Sequence, residues 1–342
     1  MGSLKLFLPA ALMAAIVAAS PARALDEASI AAAKREGAVT IYTSLSINQV
    51  AQPLADAFTK KYGIKATPVR SDTTEIIRRV AAEAKAGQPQ CDVFDGTIVV
   101  PVLKRDNLVL KWLPETAKDL PKEFVDKDGY WAALYVLVSS PAVNSELVPL
   151  GQEPKSWEDL LDPKWRGKMA WSSGTNTGGP GLVGMALREW GEEKGMDFLK
   201  KLAQQRIASL PSSARQVLDQ VIAGEYAVAP MSSVHHVMYS GDQKAPVRWR
   251  PFNPAVVSLI TASVASNAPH PNAAKLYFEF LLSEDGQKVF RDNYYLTSNA
   301  KVPPKDPKAL PNGKDYRGQF FTPEDLDADM EKWQKIYSDL FR

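Results

Sequence analysis

The 342-residue chain carries 41 Lys plus Arg against 39 Asp plus Glu, interspersed rather than run together, which argues against nucleic acid or a charged membrane surface as partner. Cys91 is the only cysteine, so no internal disulfide forms and a packed core must hold the fold. The length is generous for one core and suits two lobes.

Lys5, the apolar run 6–19 and the small-x-small triplet Ala22-Arg23-Ala24 read as a secretory signal peptide over residues 1–24, with the mature chain starting at Leu25. A membrane span needs about 20 apolar residues, and Pro9 and Ser20-Pro21 break this run. The expectation is a periplasmic monomer, not membrane-spanning after cleavage and not lipid-anchored, because no cysteine follows the cut. A compartment without ATP or nicotinamide favours capture, transport or hydrolysis, and no cofactor is expected.

Residues 38–43 follow Gly37, are rich in β-branched side chains and read as a strand. Val50, Leu54, Ala57 and Phe58 recur at helical steps, and Gly63 ends that helix. Residues 64–69 read as the next strand. Thr73 or Thr74 caps a second helix whose inward face is Ile76, Ile77, Val80, Ala81 and Ala84, ending at Gly87. Residues 91–94 read as a short buried strand. In such a βαβαβ unit the loops leaving the carboxyl ends of the strands form the ligand crevice. Here they are hydroxyl-rich: Thr43-Ser44-Leu45-Ser46, Arg70-Ser71-Asp72-Thr73-Thr74 and Asp95-Gly96-Thr97. Each hydroxyl alone is explained as a helix cap, but three converging loops point to a polar binding surface.

Residues 131–138 are a long apolar run suited to a strand crossing between lobes, a hinge. Residues 168–171 read as a strand running into Ser172-Ser173-Gly174-Thr175-Asn176-Thr177-Gly178-Gly179, with Pro180 in the first turn of a helix. That loop is either an anion cradle of backbone N–H and hydroxyl groups or an ordinary flexible loop. Ser212-Ser213 caps a helix over 214–223 with Val217, Leu218, Val221 and Ile222 inward. Arg215 falls in its first turn, where the helix dipole disfavours a cation, so it is either incidental or set to meet an anion. Residues 226–231 read as a strand leading through Ser232-Ser233 to Val234-His235-His236. Tyr135, Trp171 and Met231 are either an apolar wall of the site or plain core.

Lys34-Arg35-Glu36-Gly37 before the first strand, Gly87 with Asp92-Val93, and Ala223-Gly224-Glu225-Tyr226-Ala227-Val228 form an ordered set. It continues with Ala268-Pro269-His270-Pro271-Asn272-Ala273-Ala274-Lys275, Phe278, Phe280-Leu281-Leu282-Ser283 and Gly286-Gln287. Together these resemble the periplasmic solute-binding proteins of ABC importers (extracellular solute-binding protein family 1), nearest the ferric-iron-type cluster. The resemblance implies a two-lobe, hinged α/β fold of type II, each lobe a mostly parallel sheet flanked by helices. Lobe one is expected from residues 25–130 plus 256–310 and lobe two from 131–255, with a C-terminal helical segment, 311–342, packed on the lobes. It also implies closure on a small-molecule ligand and docking on ABC permease membrane subunits, without covalent chemistry.

Iron-binding members of that cluster use a pair of adjacent tyrosines, often with a histidine and a glutamate. The matching positions here are Val234-His235 or His235-His236, the loop after Tyr42 has no histidine, and the glutamate position falls near Gly96-Thr97. Neighbouring helical residues diverge by about 100°, so one histidine is expected packed and the other exposed or bonded to a ligand oxygen. The expected ligand-binding set is Thr43, Ser44, Ser46, Asp95, Thr97, Tyr135, Ser172, Ser173, Gly174, Thr175, Arg215, Ser232, Ser233, His235 and His236, the two histidines serving as ligands if a metal is bound. The expected solute is a phosphorylated, phosphonylated or carboxylated organic molecule; ferric iron with a synergistic anion is the alternative. A hydrolase built on Ser173 or Ser233 with His235 and Asp95 lacks both the Gly-x-Ser-x-Gly elbow and a His-Glu-x-x-His helix, so no enzyme is expected.

Overall fold

The computed structural model describes residues 26–173 and 178–341, so the expected signal peptide lies outside it. The strands are β1 (Ala38–Thr43), β2 (Lys65–Arg70), β3 (Val93–Gly96), β4 (Ala132–Asn144), β5 (Ala170–Ser172), β6 (Ala208–Leu210), β7 (Val228–Ser233), β8 (Val247–Trp249), β9 (Ala255–Val264), β10 (Leu296–Thr297) and β11 (Gly318–Phe321). The helices are α1 (Glu27–Glu36), α2 (Gln52–Tyr62), α3 (Thr73–Lys85), α4 (Val99–Arg105), α5 (Gly179–Ala203), α6 (Ala214–Ile222), α7 (Val234–Asp242), α8 (Pro271–Leu282), α9 (Glu284–Asp292) and α10 (Pro323–Phe341).

β2, β1 and β3 are parallel neighbours, and β9 joins β3 antiparallel. Period-two alternation decides which face each β1 side chain serves. Val39 and Ile41 pack with α1, α2 and α8, whereas Tyr42 packs on the other face with Ile76 and Val80 of α3 and Val99 and Leu103 of α4. The local chemistry sets the element ends. Gly63 takes the left-handed conformation that closes α2. Asp72, not Thr73 or Thr74, caps α3 by accepting the Glu75 N–H at 2.9 Å, because the carboxylate stands one residue ahead of the helix. Ser213 caps α6 in a reciprocal box with Gln216, as the hydroxyl pair in the sequence suggests.

The two long strands are the spine of the molecule. β4 is buried over all 13 residues and pairs antiparallel with β9 through residues 132–139, then with β7 and β8 through residues 139–144. It is longer than the expected run because Ser140 and Asn144 are satisfied internally: the Ser140 hydroxyl donates to the Arg250 carbonyl at 2.8 Å and the Asn144 amide to the Val221 carbonyl at 2.7 Å. A second apolar cluster gathers Trp157, Trp171, Leu182, Met185, Leu199 and Val228 with Phe321, Met330, Trp333 and Tyr337. α10 therefore packs along α5, where Gly179 and Gly184 leave room for the Tyr337 and Trp333 rings. Among the described residues no helix is long and apolar enough to cross a membrane.

Candidate functional site

Ends of several elements surround one cavity of about 150 Å³. From the parallel strands come Ser44 after β1, Arg70 at the end of β2 with Ser71 and Asp72, Thr73 and Thr74 opening α3, and Thr97 and Ile98 after β3. Facing them are Ser213, Ala214 and Arg215 at the start of α6, and Ser233, His235 and His236 at the start of α7. Tyr135 and Leu137 of β4 and Ile260 of β9 supply the apolar part, and Met330 and Gln334 reach in from α10.

Three helix starts thus meet at one place, each carrying unsatisfied N–H groups and partial positive charge. Ser213 caps α6 and Asp72 caps α3, but Ser233 makes no side-chain cap on α7, which leaves the first N–H groups of α7 open. Two guanidiniums add fixed charge. Arg70 is exposed and makes no ion pair among the described residues. Arg215 is held by Asp219 at 2.8 Å and donates to the Ser240 hydroxyl at 3.0 Å.

Both histidines are neutral in this field. His235 is 2 % exposed, stacks on Tyr295 at 4.0 Å between centroids, meets Tyr135 edge-on and has no partner on Nδ1 among the described residues. Burial, then His236 and Arg215, hold its pKa well below the ordinary value. His236 is pushed down to about 3, first by burial and then by Arg215 and Arg70. Its Nδ1 lies 3.1 Å from Gln49 Oε1, in a π-helical turn, Ile47–Ala51, after β1.

Of the expected site residues, Ser44, Thr97, Tyr135, Arg215, Ser233, His235 and His236 come together on this cavity. The others among the described residues sit off it. Asp95 is buried behind Ser44 and accepts its N–H at 2.9 Å and its hydroxyl at 2.7 Å; burial raises the Asp95 pKa, opposed by the hydrogen bonds from Thr43 and Ser44. Thr43 also accepts the Leu45 N–H at 3.0 Å, and Ser46 begins the π-helical turn. The Ser172 and Ser173 hydroxyls donate to the Ser212 and Leu210 carbonyls, and Ser232 is enclosed in β7. Trp171 and Met231 are core. Gly174 and Thr175 lie outside the described residues.

Arg70, Ile98, Leu137, Ile260, Met330 and Gln334 join the lining without belonging to the expected set. Arg70 had a visible cue, since it opens the second hydroxyl-rich loop. Met330 and Gln334 had none beyond an i, i+4 spacing on a C-terminal helix that turns inward only through its packing on α5. Among the described residues no group of three or more His, Cys, Asp or Glu is placed to hold a metal ion.

A mixed α/β fold whose strand ends, helix starts and two crossing strands enclose one polar cavity is that of a solute-binding receptor. The chain belongs to the bacterial extracellular solute-binding proteins, the family that residues 99–317 match. It is 26 % identical over 330 residues to a putative 2-aminoethylphosphonate-binding periplasmic protein of Salmonella typhimurium, covering 88 % of this chain and 93 % of that one. An Fe(3+)-binding periplasmic protein of Serratia marcescens is 22 % identical over 275 residues, 77 % of this chain and 78 % of that one. The fold is shared with the periplasmic binding protein AfuA from Actinobacillus pleuropneumoniae, solved with exogenous fructose-6-phosphate, at a TM-score of 0.76 and 22 % identity over 89 % of this chain and 98 % of that one. Like these relatives, the protein is a periplasmic binding protein.

Proposed function

We propose that the protein captures a small oxyanion-bearing organic solute, phosphorylated, phosphonylated or carboxylated, and delivers it to the membrane permease of an ABC importer. The observation that carries this reading is the convergence of the α3, α6 and α7 starts with Arg70 and Arg215 on one cavity. Backbone N–H groups, hydroxyls and guanidiniums are the donors that oxyanions accept from. The named ligands of the Salmonella and Actinobacillus proteins, a phosphonate and a sugar phosphate, support the same class.

Capture works by hinge closure between a lobe of residues 25–130 plus 256–310 and a lobe of residues 131–255, with β4 and β9 as the crossing strands. The C-terminal segment, 311–342, packs on the lobes, in line with the packing of α10 on α5 and α4 and the pairing of β11 with β9. The protein acts as a monomer and binds without turnover. In support, Asp95 accepts from Ser44 rather than from His235, so no Ser-His-Asp relay is assembled.

Ferric iron is the second reading, favoured by the Serratia relative. The ion would meet two guanidiniums, and burial opposes ionisation of the Tyr135 and Tyr295 phenols, so a bridging anion would be needed. Native mass spectrometry of protein purified from its own host, with metal analysis of the same sample, tests the assignment. A co-purified phosphoryl, phosphonyl or carboxyl compound is the expected result; stoichiometric iron without an organic ligand overturns it.

A further inference from the structure

The charges that line the cavity do not cancel. Arg70 and Arg215 supply two positive charges against the single carboxylate of Asp72. The starts of α3, α6 and α7 add about half a charge each. Asp219, which pairs with Arg215, is off the lining and half in solvent, where its field is screened. Asp95 is also off the lining, and burial favours its neutral form. By that count the lining carries an excess of about two and a half positive charges, with the charge of the exposed Arg70 partly screened.

A second observation points to a missing partner in the same place. His235 is 2 % exposed and lines the cavity, and its Nδ1 is enclosed with nothing to bond to among the described residues. An orphaned N–H is rarer and costlier than an orphaned acceptor, so the proton belongs on Nε2, making that edge of the ring a neutral donor. With the uncapped start of α7 beside it, this cluster asks for acceptor oxygens.

The remaining wall is uncharged: Leu137, Ile260, Ile98 and Met330 are apolar, and Gln334 offers only an amide. An ammonium group against this wall would lose its hydration without a counter-charge. Among the described residues Asp72 is the one carboxylate on the lining, and one of its oxygens is already committed to the Glu75 N–H.

On the reading that the site takes an oxyanion, we infer that it selects a dianionic phosphoryl or phosphonyl head carried on an uncharged body. A monocarboxylate leaves part of the positive excess unmatched, and an aminoalkyl phosphate or phosphonate sets its ammonium against the apolar wall. The ligand class thus differs from the aminophosphonate named for the Salmonella relative.

Isothermal titration at about pH 7.5, above the second ionisation of a phosphate monoester near 6, tests this with propyl phosphate, O-phosphoethanolamine and butyrate. Propyl phosphate is expected to bind at least about tenfold more tightly than either of the others. Arg70→Gln, at an exposed position, narrows the propyl phosphate to butyrate ratio, and Gln334→Glu moves the preference toward O-phosphoethanolamine. Melting curves of both variants confirm that they remain folded. If butyrate binds the native protein as well as propyl phosphate does, dianion selection is overturned, and if O-phosphoethanolamine does, the uncharged body is; oxyanion capture stands in either case. If none of the three binds, the oxyanion reading itself falls, and the inference with it.

Discussion

Gln49 and His236, 187 residues apart, fix each other's hydrogen-bonding state. The Gln49 amide donates to the Asn293 carbonyl at 3.1 Å, which turns its oxygen toward His236 Nδ1, also at 3.1 Å. An amide oxygen only accepts, so Nδ1 of His236 carries the proton and the neutral ring presents Nε2 as an acceptor. This pair ties the π-helical turn after β1 to the start of α7, where His236 lines the cavity.

Gln49→Ala should leave the His236 N–H without its partner and lower stability by about 1 kcal/mol, read from urea denaturation. Gln49→Glu restores an acceptor and adds a negative charge that favours the imidazolium, so the His236 pKa should rise. An NMR titration in which Gln49→Glu leaves His236 unmoved would show that the two side chains are not coupled.

Acid should destabilise the protein through the same histidines. In the unfolded chain a histidine protonates near 6.5, whereas in the folded protein His236 waits until about 3 and His235 is also held well below its ordinary value. Between those limits the unfolded state binds more protons, so stability is fully present above about 6.5 and is lost as pH falls toward 3. His236→Gln should flatten part of that fall. A denaturation free energy that stays level from neutral pH down to about 4 in the native protein contradicts buried, neutral histidines.

β1, α2, β2, α3 and β3 were legible because each is fixed by neighbours in sequence: β-branched runs, helical repeats and terminal glycines. The loops after β1, β2 and β3 were legible for a topological reason, since parallel strands deliver their exits to one edge. What each hydroxyl does there was not. Ser44 and Thr97 reach the cavity, while Ser172 and Ser173 turn to carbonyls of the 210–212 segment, a choice set by the β5–β6 pairing. The histidine pair divided into a packed His235 and a hydrogen-bonded His236, although the partner of His236 is Gln49. The contribution of α10 was hidden because it depends on packing against α5, more than a hundred residues earlier.

Arg70 and Arg215 should separate binding from stability. Arg70 is exposed and unpaired among the described residues, so Arg70→Gln should leave the melting point of the ligand-free protein unchanged. The same change should weaken oxyanion binding by about 10- to 100-fold, the worth of a charge-assisted hydrogen bond. Arg215→Gln should cost both affinity and some stability, because Arg215 also holds Asp219 and the Ser240 hydroxyl. Equal affinity in Arg70→Gln and native protein for every oxyanion tried removes Arg70 from the site.

The last prediction concerns the helix that no motif announced. A β-carbon placed on Gly184 would stand 2.6 Å from the Trp333 ring, and one on Gly179 would stand 2.1 Å from the Tyr337 ring. Real side chains do not approach so closely, and both rings are buried, so α10 must move away from α5 to accept the methyl group. Gly184→Ala should therefore cost about 1–3 kcal/mol of stability. Met330 and Gln334 lie on the same helix as Trp333 and line the cavity, so the displacement should also reach the ligand. Affinity is expected to fall together with melting temperature in Gly184→Ala, and a second change that trims the ring, Trp333→Leu, should recover part of both. A variant that melts earlier yet binds propyl phosphate as tightly as the native protein would mean that α10 covers the second apolar cluster without shaping the site.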